Sequence, residues 1–202
     1  MNDVDLRYAV YLIPPYPVAR PVVEIHHMLR KQFGFVAADR FQAHVTLKGF
    51  FKTMSNSADT LAANLDAVFV GRKPFPVHIN GYRTDDIGIG LNVSLIDGKP
   101  NAALMTVREK IVDVVRPVIA PDCDFAAADL GNPFEGHLTL AFRDIPVELQ
   151  SDVLAYLADA PVPSAPFMAR TFHYLVFHSE NWAGLWWETL TWRLLKSWHL
   201  ED

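Results

Sequence analysis

The stretch Ala43-His44-Val45-Thr46-Leu47-Lys48-Gly49 sets a pattern that the chain writes twice. Gly136-His137-Leu138-Thr139-Leu140-Ala141-Phe142 repeats His-x-Thr-Leu 93 positions later (137 − 44 = 93). No other histidine of the eight is followed by threonine two residues on. With 8 His, 9 Thr and 21 Leu among 202 residues, composition alone gives roughly 0.04 such tetrads per chain. A chance pair is then expected in about one chain in a thousand, so the repetition needs a structural or chemical cause.

Both copies alternate as strands do. Ala43, Val45 and Leu47 fall on one face, and His44, Thr46 and Lys48 on the other. In the second copy Leu138, Leu140 and Phe142 form the apolar face, while His137, Thr139 and Arg143 share the opposite one. One face against a core and one lining a cleft is the arrangement this implies.

Working outward, residues 7–13 (RYAVYLI) predict a buried strand stopped by Pro14-Pro15. Pro21 suits an early position in a helix carrying Val22, Ile25, Leu29 and Phe33, with Gly34 as its stop. After the first motif strand, Ser57 is the expected N-cap of a helix through Leu61, Leu65 and Val68 that ends at Gly71. Strands are expected over residues 75–82 and 89–96, with turn chemistry over 84–88 between them. Asn101 caps a helix with the stripe Leu104, Val107, Ile111, Val114 and Val118, ended or kinked by Pro117. An irregular loop over residues 121–134 precedes the second motif strand. Pro146 then opens a helix with Leu149, Val153 and Leu157 inward, followed by strands over 167–177 and 185–195. The order is strand, helix, motif strand, helix, strand, the same five again, and one closing strand. It predicts a single α+β domain over residues 1–202, built from two repeats of about 5–86 and 87–198.

Composition narrows the function. Half the residues are apolar and a fifth charged, enough for a substantial core. A net charge of −5 and the lack of any Lys/Arg run exclude an extended nucleic-acid surface, but leave a small anion or a single nucleic-acid end. Cys123 is the only cysteine, so there is no intramolecular disulfide and no cysteine metal cluster. The start MNDVDLRYAV lacks a signal-peptide pattern, and no apolar run is long enough for a membrane span. A cytoplasmic protein without membrane attachment is expected; the sequence is silent on oligomeric state.

On one strand face, His and Thr at i and i+2 lie about 6.5–7 Å apart. Two facing pairs present two imidazoles and two hydroxyls to one small ligand. Imidazole moves protons near neutral pH, and hydroxyls donate to phosphoryl oxygens. One histidine taking a proton from the attacking oxygen and the other protonating the leaving oxygen suffices for in-line cleavage of a phosphodiester. No ligand-spaced set of His, Cys or carboxylates suggests a metal, and no cofactor is expected.

Two His-x-Thr-Leu tetrads in a duplicated α+β chain resemble the two-histidine (2H) phosphoesterase superfamily, in its 2′-5′ RNA ligase-like and cyclic phosphodiesterase branch. The resemblance implies a bilobal fold with two antiparallel sheets flanking a central cleft and helices outside. It implies that His44 and His137 transfer protons and that Thr46 and Thr139 hold the phosphate. Implied substrates are 2′,3′-cyclic phosphates, ADP-ribose cyclic phosphate and 2′-5′ linked nucleotides. Ligase-named branches extend the first motif to a Phe and Gly, where this chain has Lys48-Gly49-Phe50-Phe51.

The remaining candidates carry less. Lys48 and Arg143 share parity with their motifs, so each either adds positive charge at the cleft mouth or is a solvated strand-end charge. His26 and His27 are adjacent in a helix and cannot share a face; His78, His173, His178 and His199 have no companion pattern. Cys123 sits between acids that disfavour a thiolate. Tyr8, Tyr11, Phe142, Trp182, Trp186, Trp187 and Trp192 can stack on a base, although aromatics at this density also simply fill a core. The reading is a metal-independent phosphodiesterase acting on a small nucleotide or RNA terminus. A nucleotide- or RNA-end-binding module without turnover, and 2′-5′ joining of RNA ends at the same site, are the alternatives.

Overall fold

Residues 8–12 are apolar without interruption because both faces of their strand are covered. In the computed structural model, which describes residues 5–54, 58–123 and 134–202, strand β1 (Leu6–Ile13) lies inside a seven-stranded antiparallel sheet. Tyr8, Val10 and Leu12 face the main core, and Ala9 and Tyr11 face a second, aromatic cluster. This explains the continuous run.

The other strands are β2 (Val45–Phe51), β3 (Phe75–Val77), β4 (Tyr82–Asp85), β5 (Gly88–Asn92), β6 (Leu95–Ile96), β7 (Lys99–Pro100), β8 (His137–Phe142), β9 (Phe167–Ala169), β10 (Thr171–His178) and β11 (Thr191–His199). The large sheet runs β11-β10-β1-β2-β8-β5-β4; β3–β9 and β6–β7 are separate two-stranded ribbons. Among the described residues the α-helices are α1 (Tyr16–Phe33), α2 (Ala58–Phe69), α3 (Ala102–Val115) and α4 (Gln150–Tyr156). All four send apolar side chains into the main core: Ile25 and Leu29 from α1, Leu61 and Leu65 from α2, Val107 and Ile111 from α3, and Val153 from α4. The opposite face of the sheet is thereby left for the aromatic cluster and a cleft.

The two motif strands are neighbours, but they are joined at one register pair, Val45↔Leu138. That rung divides the sheet into β11-β10-β1-β2 and β8-β5-β4, and these halves take the place of the two sheets expected at the cleft. The α+β class and antiparallel pairing agree with the sequence. Each half draws strands from both sides of residue 86, which lies in the β4–β5 turn.

Differences in detail have local causes. Helix α1 starts at Tyr16, before Pro21, because Pro15 supplies an extended N-cap and Pro17 fits the first turn, where its missing N–H costs nothing. It stops as expected at Gly34, which adopts φ 82°. Asn101 caps α3 by accepting from the Leu104 amide at 3.2 Å. The expected cap Ser57 lies outside the described residues, as does most of the loop after Cys123. The expected strand over 75–82 is two strands, β3 and β4, and that over 167–177 is divided between β9 and β10. The closing strand begins at Thr191, not at 185. Trp186 and Leu190 are instead buried in the aromatic cluster, and Thr189 Oγ1 accepts from the Glu180 amide at 3.0 Å, which ties residues 179–190 into a loop.

Candidate active site

Val45 and Leu138 are both fully buried, so the residues flanking each of them point to the other side of the sheet. The residues on either side of that rung, His44 and Thr46 on one strand and His137 and Thr139 on the other, therefore share the face away from the core. All four line one cleft of about 230 Å³. The two tetrads thus meet about this single rung as a local two-fold pair, with both histidines and both threonines on one cleft.

Bulges end the alternation in both strands. In β2, Tyr11 pairs with Thr46 but Val10 with Lys48, so Leu47 and Lys48 both turn toward the core. Lys48 is fully buried, with its ammonium 5.5 Å from the centre of the Phe51 ring and donating to the Gly49 carbonyl at 3.2 Å. It does not line the cleft, contrary to its parity. In β8 the register shifts between Thr139 and Ala141, so Leu140 and Ala141 both face the core. Phe142, expected on the apolar face, is turned into the cleft. Phe50 takes the same place beyond the bulge of β2. Arg143 lines the cleft, at φ 66°, with its amide donating to the Ile87 carbonyl at 2.7 Å.

The histidines sit in unlike surroundings. His44 stacks on Tyr11 with ring centres 3.7 Å apart and planes 19° from parallel, and Phe41 lies 5.6 Å away. Its Nδ1 is 2.7 Å from the Gln42 carbonyl, a contact made only by Nδ1–H. Nε2 is then left unprotonated toward the cleft when the ring is neutral. Burial pushes its pKa down to about 4, against the opposing hydrogen bond to Gln42 and with smaller contributions from His137 and His26. His137 repeats the carbonyl contact, with Nδ1 2.9 Å from Glu135 O. It also has Arg83 Nη1 at 2.9 Å from the same nitrogen. Arg83 in turn donates to Glu135 at 2.8 Å and pairs with Asp85 at 3.1 Å. The His137 pKa is lowered, chiefly by burial and further by Arg83, while the Glu135 carbonyl, Asp85 and the Glu135 carboxylate oppose the shift.

Sequence reasoning missed several residues here. His26 of α1, 4% exposed, lines the cleft and its Nε2 lies 2.8 Å from the Thr139 carbonyl. It holds an oxygen that β2, joined at one rung only, leaves unpaired. Burial lowers its pKa. Of the aromatics named from sequence, Tyr11, Phe142 and Trp186 line the cleft, joined by Phe41 and Phe50. Tyr8 belongs to the main core, and Trp182 and Trp187 pack in the aromatic cluster without lining the cleft. Trp192 is on the edge strand, with its indole N–H on the Arg40 carbonyl at 3.1 Å. Gly90 lets β5 approach: a Cβ there lies 3.0 Å from the Leu138 carbonyl and 3.4 Å from the His137 side chain. Asp144 accepts from the Val36 amide and, at 2.8 Å, from Ala37, tying the end of β8 to the segment after α1. Among the described residues no group of three or more His, Cys, Asp or Glu is placed to hold a metal ion, and no helix is long and apolar enough to cross a membrane.

Comparison with known proteins agrees with the fold. No curated protein sequence matches the chain. Solved structures match along almost the whole length. TT0787 of Thermus thermophilus has a TM-score of 0.67 at 16% identity, covering 96% of this chain and 97% of that one. E. coli LigT complexed with 3′-AMP has a TM-score of 0.60 at 14% identity, covering 98% and 99%. LigT complexed with ATP has 0.59 at 18% identity, covering 99% and 100%. At these identities the likeness speaks for the fold alone. The family model described as "2′-5′ RNA ligase superfamily" matches residues 14–181. With that match spanning most of its length, the chain belongs to the 2′-5′ RNA ligase superfamily.

Proposed function

We propose that the protein is a metal-independent phosphodiesterase that hydrolyses a 2′,3′-cyclic phosphate or a related diester at a nucleotide or RNA end. The observation that carries this reading is the facing pair of His-x-Thr tetrads, with His44 and His137 on one cleft. His44 acts as the base: its bare Nε2 removes the proton from an attacking water, and its low pKa keeps it neutral at physiological pH. His137 serves the leaving 2′ or 3′ oxygen. Water oxygen bonds to phosphorus, the P–O bond to that ribose oxygen breaks, and the ribose oxygen takes a proton. The Thr46 and Thr139 hydroxyls donate to the non-bridging oxygens, whose charge grows in the transition state.

Charge selects among the family's substrates. Arg143 is the cleft's only Lys or Arg among the described lining residues, and the walls are chiefly aromatic. Such a site suits a singly charged diester on one nucleoside better than a pyrophosphate-bearing one or a long RNA. Release of a 2′- or 3′-monophosphate from 2′,3′-cyclic nucleotides, unchanged by a chelator, is the expected result. Turnover that EDTA abolishes and added metal restores would overturn the metal-free part. Tight nucleotide binding with no turnover across 2′,3′-cyclic nucleotides, ADP-ribose cyclic phosphate and 2′-5′ dinucleotides would overturn catalysis in favour of a binding module. The family description favours one second reading, joining of RNA ends by a 2′-5′ bond, which uses the same groups with a ribose hydroxyl in place of water. Incubation of RNA halves ending in a 2′,3′-cyclic phosphate and a 5′-hydroxyl separates the two by product length.

A further inference from the structure

Nδ1 of His137 has one in-plane position for a hydrogen bond and two partners competing for it. The Glu135 carbonyl, at 2.9 Å, can only accept, and so requires Nδ1–H. The Arg83 guanidinium, also at 2.9 Å, can only donate, and so requires a bare Nδ1. His44 has the first partner alone, Gln42 O at 2.7 Å.

Arg83 is built for this contact. Its side chain is only 19% exposed and is fixed from behind by Glu135 at 2.8 Å and Asp85 at 3.1 Å. The planar fork therefore meets the imidazole in a set orientation. Glu135 is occupied on its carboxylate side by the same arginine, so the segment carrying the competing carbonyl and the guanidinium move together. We propose that Arg83 is a positioning residue that holds the proton of neutral His137 on Nε2, the nitrogen facing the cleft, and so makes the two motif histidines chemically unequal. His44 then presents a lone pair to the substrate and His137 an N–H. The local two-fold of the tetrads is broken by one residue from β4, and the direction of reaction follows: attack on the His44 side, departure on the His137 side. The assignment of direction rests on the phosphodiesterase reading; the tautomer assignment does not.

Long-range proton–nitrogen NMR of the histidine rings in the full chain at about pH 8 tests it, with signals identified by their loss in His44→Gln and His137→Gln. The expected pattern is Nδ1–H for His44 and Nε2–H for His137, with His137 changing to Nδ1–H in Arg83→Met. Arg83→Lys, which keeps a donor on a shorter reach, restores part of the Nε2–H population. Nδ1–H for His137 in the unaltered protein, or Nε2–H persisting in Arg83→Met, would overturn the proposal. Because this readout needs no substrate, it stands or falls apart from the proposed activity.

Where turnover is measured, Arg83→Met lowers kcat about 100-fold near pH 8, the lower end for loss of acid–base assistance, with KM nearly unchanged. The deficit shrinks as pH falls, because imidazolium carries Nε2–H whatever occupies position 83. The charged or titratable groups around His137 are Arg83, Asp85, Glu135, His44 and, through Thr139, His26. Removing the guanidinium also raises the pH at which His137 charges, the same direction as the rescue. A deficit constant from pH 8 to pH 5 would show that Arg83 only props up the strand, and would overturn the proposal.

Discussion

On the β1–β2 side of the seam, His44 is held by a ring and a carbonyl: Tyr11 stacks at 3.7 Å and Gln42 accepts at 2.7 Å. On the β8–β5–β4 side, His137 is held by a carbonyl and an ion network of Arg83, Glu135 and Asp85. The same four letters of sequence thus sit in an apolar box and in a polar one. The backbone repeats, and the chemistry does not. A site with two identical imidazoles has no reason to run in one direction; unequal surroundings supply that reason.

The largest effect expected is from the histidines themselves. His44→Ala and His137→Ala each lower kcat on a 2′,3′-cyclic nucleotide by at least about 100-fold, and the double variant is little worse than the poorer single one, because base and acid act in one step. The pH profile separates them. If His44 is the base, the acidic limb of kcat/KM falls near pH 4, since activity is lost only as pH drops through the folded value and the base protonates. A limb near the ordinary histidine value of about 6.5 would assign the base elsewhere.

Next come the hydroxyls. Thr46→Val and Thr139→Val each cost about 10- to 100-fold in kcat/KM, matching about 1.5–3 kcal/mol for a hydrogen bond to a charged group. Equal losses would mean that the two-fold survives at the phosphate even though it is broken at the histidines. A smaller effect is expected at Gly90→Ala, where the added methyl meets the Leu138 carbonyl at 3.0 Å and crowds His137 alone. It lowers kcat by about 10-fold through misplacement of one imidazole and leaves the His44 ring signals in place. Smallest is Asp144→Ala, which frees the Val36 and Ala37 amides. It costs about 1–2 kcal/mol, a Tm drop of several degrees for a chain of this size, measured by thermal melting.

How far the sequence carried the site depended on whether the information was local. His44, Thr46, His137 and Thr139 share the cleft because alternation over three residues needs only a straight strand. One step further, the same logic misplaced Lys48 and Phe142, since a bulge inserts one residue and breaks the alternation at that point. Gly49 beside the first bulge is a weak cue that alternation alone passes over, and the second bulge has no glycine in its own strand. Arg83 was out of reach for another reason. It meets His137 because β4 pairs with β5 and β5 with β8, and two successive pairings cannot be read from a single chain. His26 was set aside on a sound argument applied to the wrong question. Adjacent helical histidines do not share a face, yet only one was needed to reach Thr139. The apolar elements were legible throughout, as burial of Val107, Ile111 and Val153 follows from helical spacing alone.

A sheet whose halves meet at one rung is, mechanically, two stiff leaves on a pin. Most interstrand distances in such a sheet are fixed by ladders of hydrogen bonds, but the gap between His44 and His137 lies at the pin. The structural consequence is compliance at the place where separation matters. A ligand bridging the two leaves does the work of the missing rungs, so amides near Val45 and Leu138 exchange with solvent faster than those of the β1–β10 ladder in the empty protein, and slow selectively when the cleft is filled.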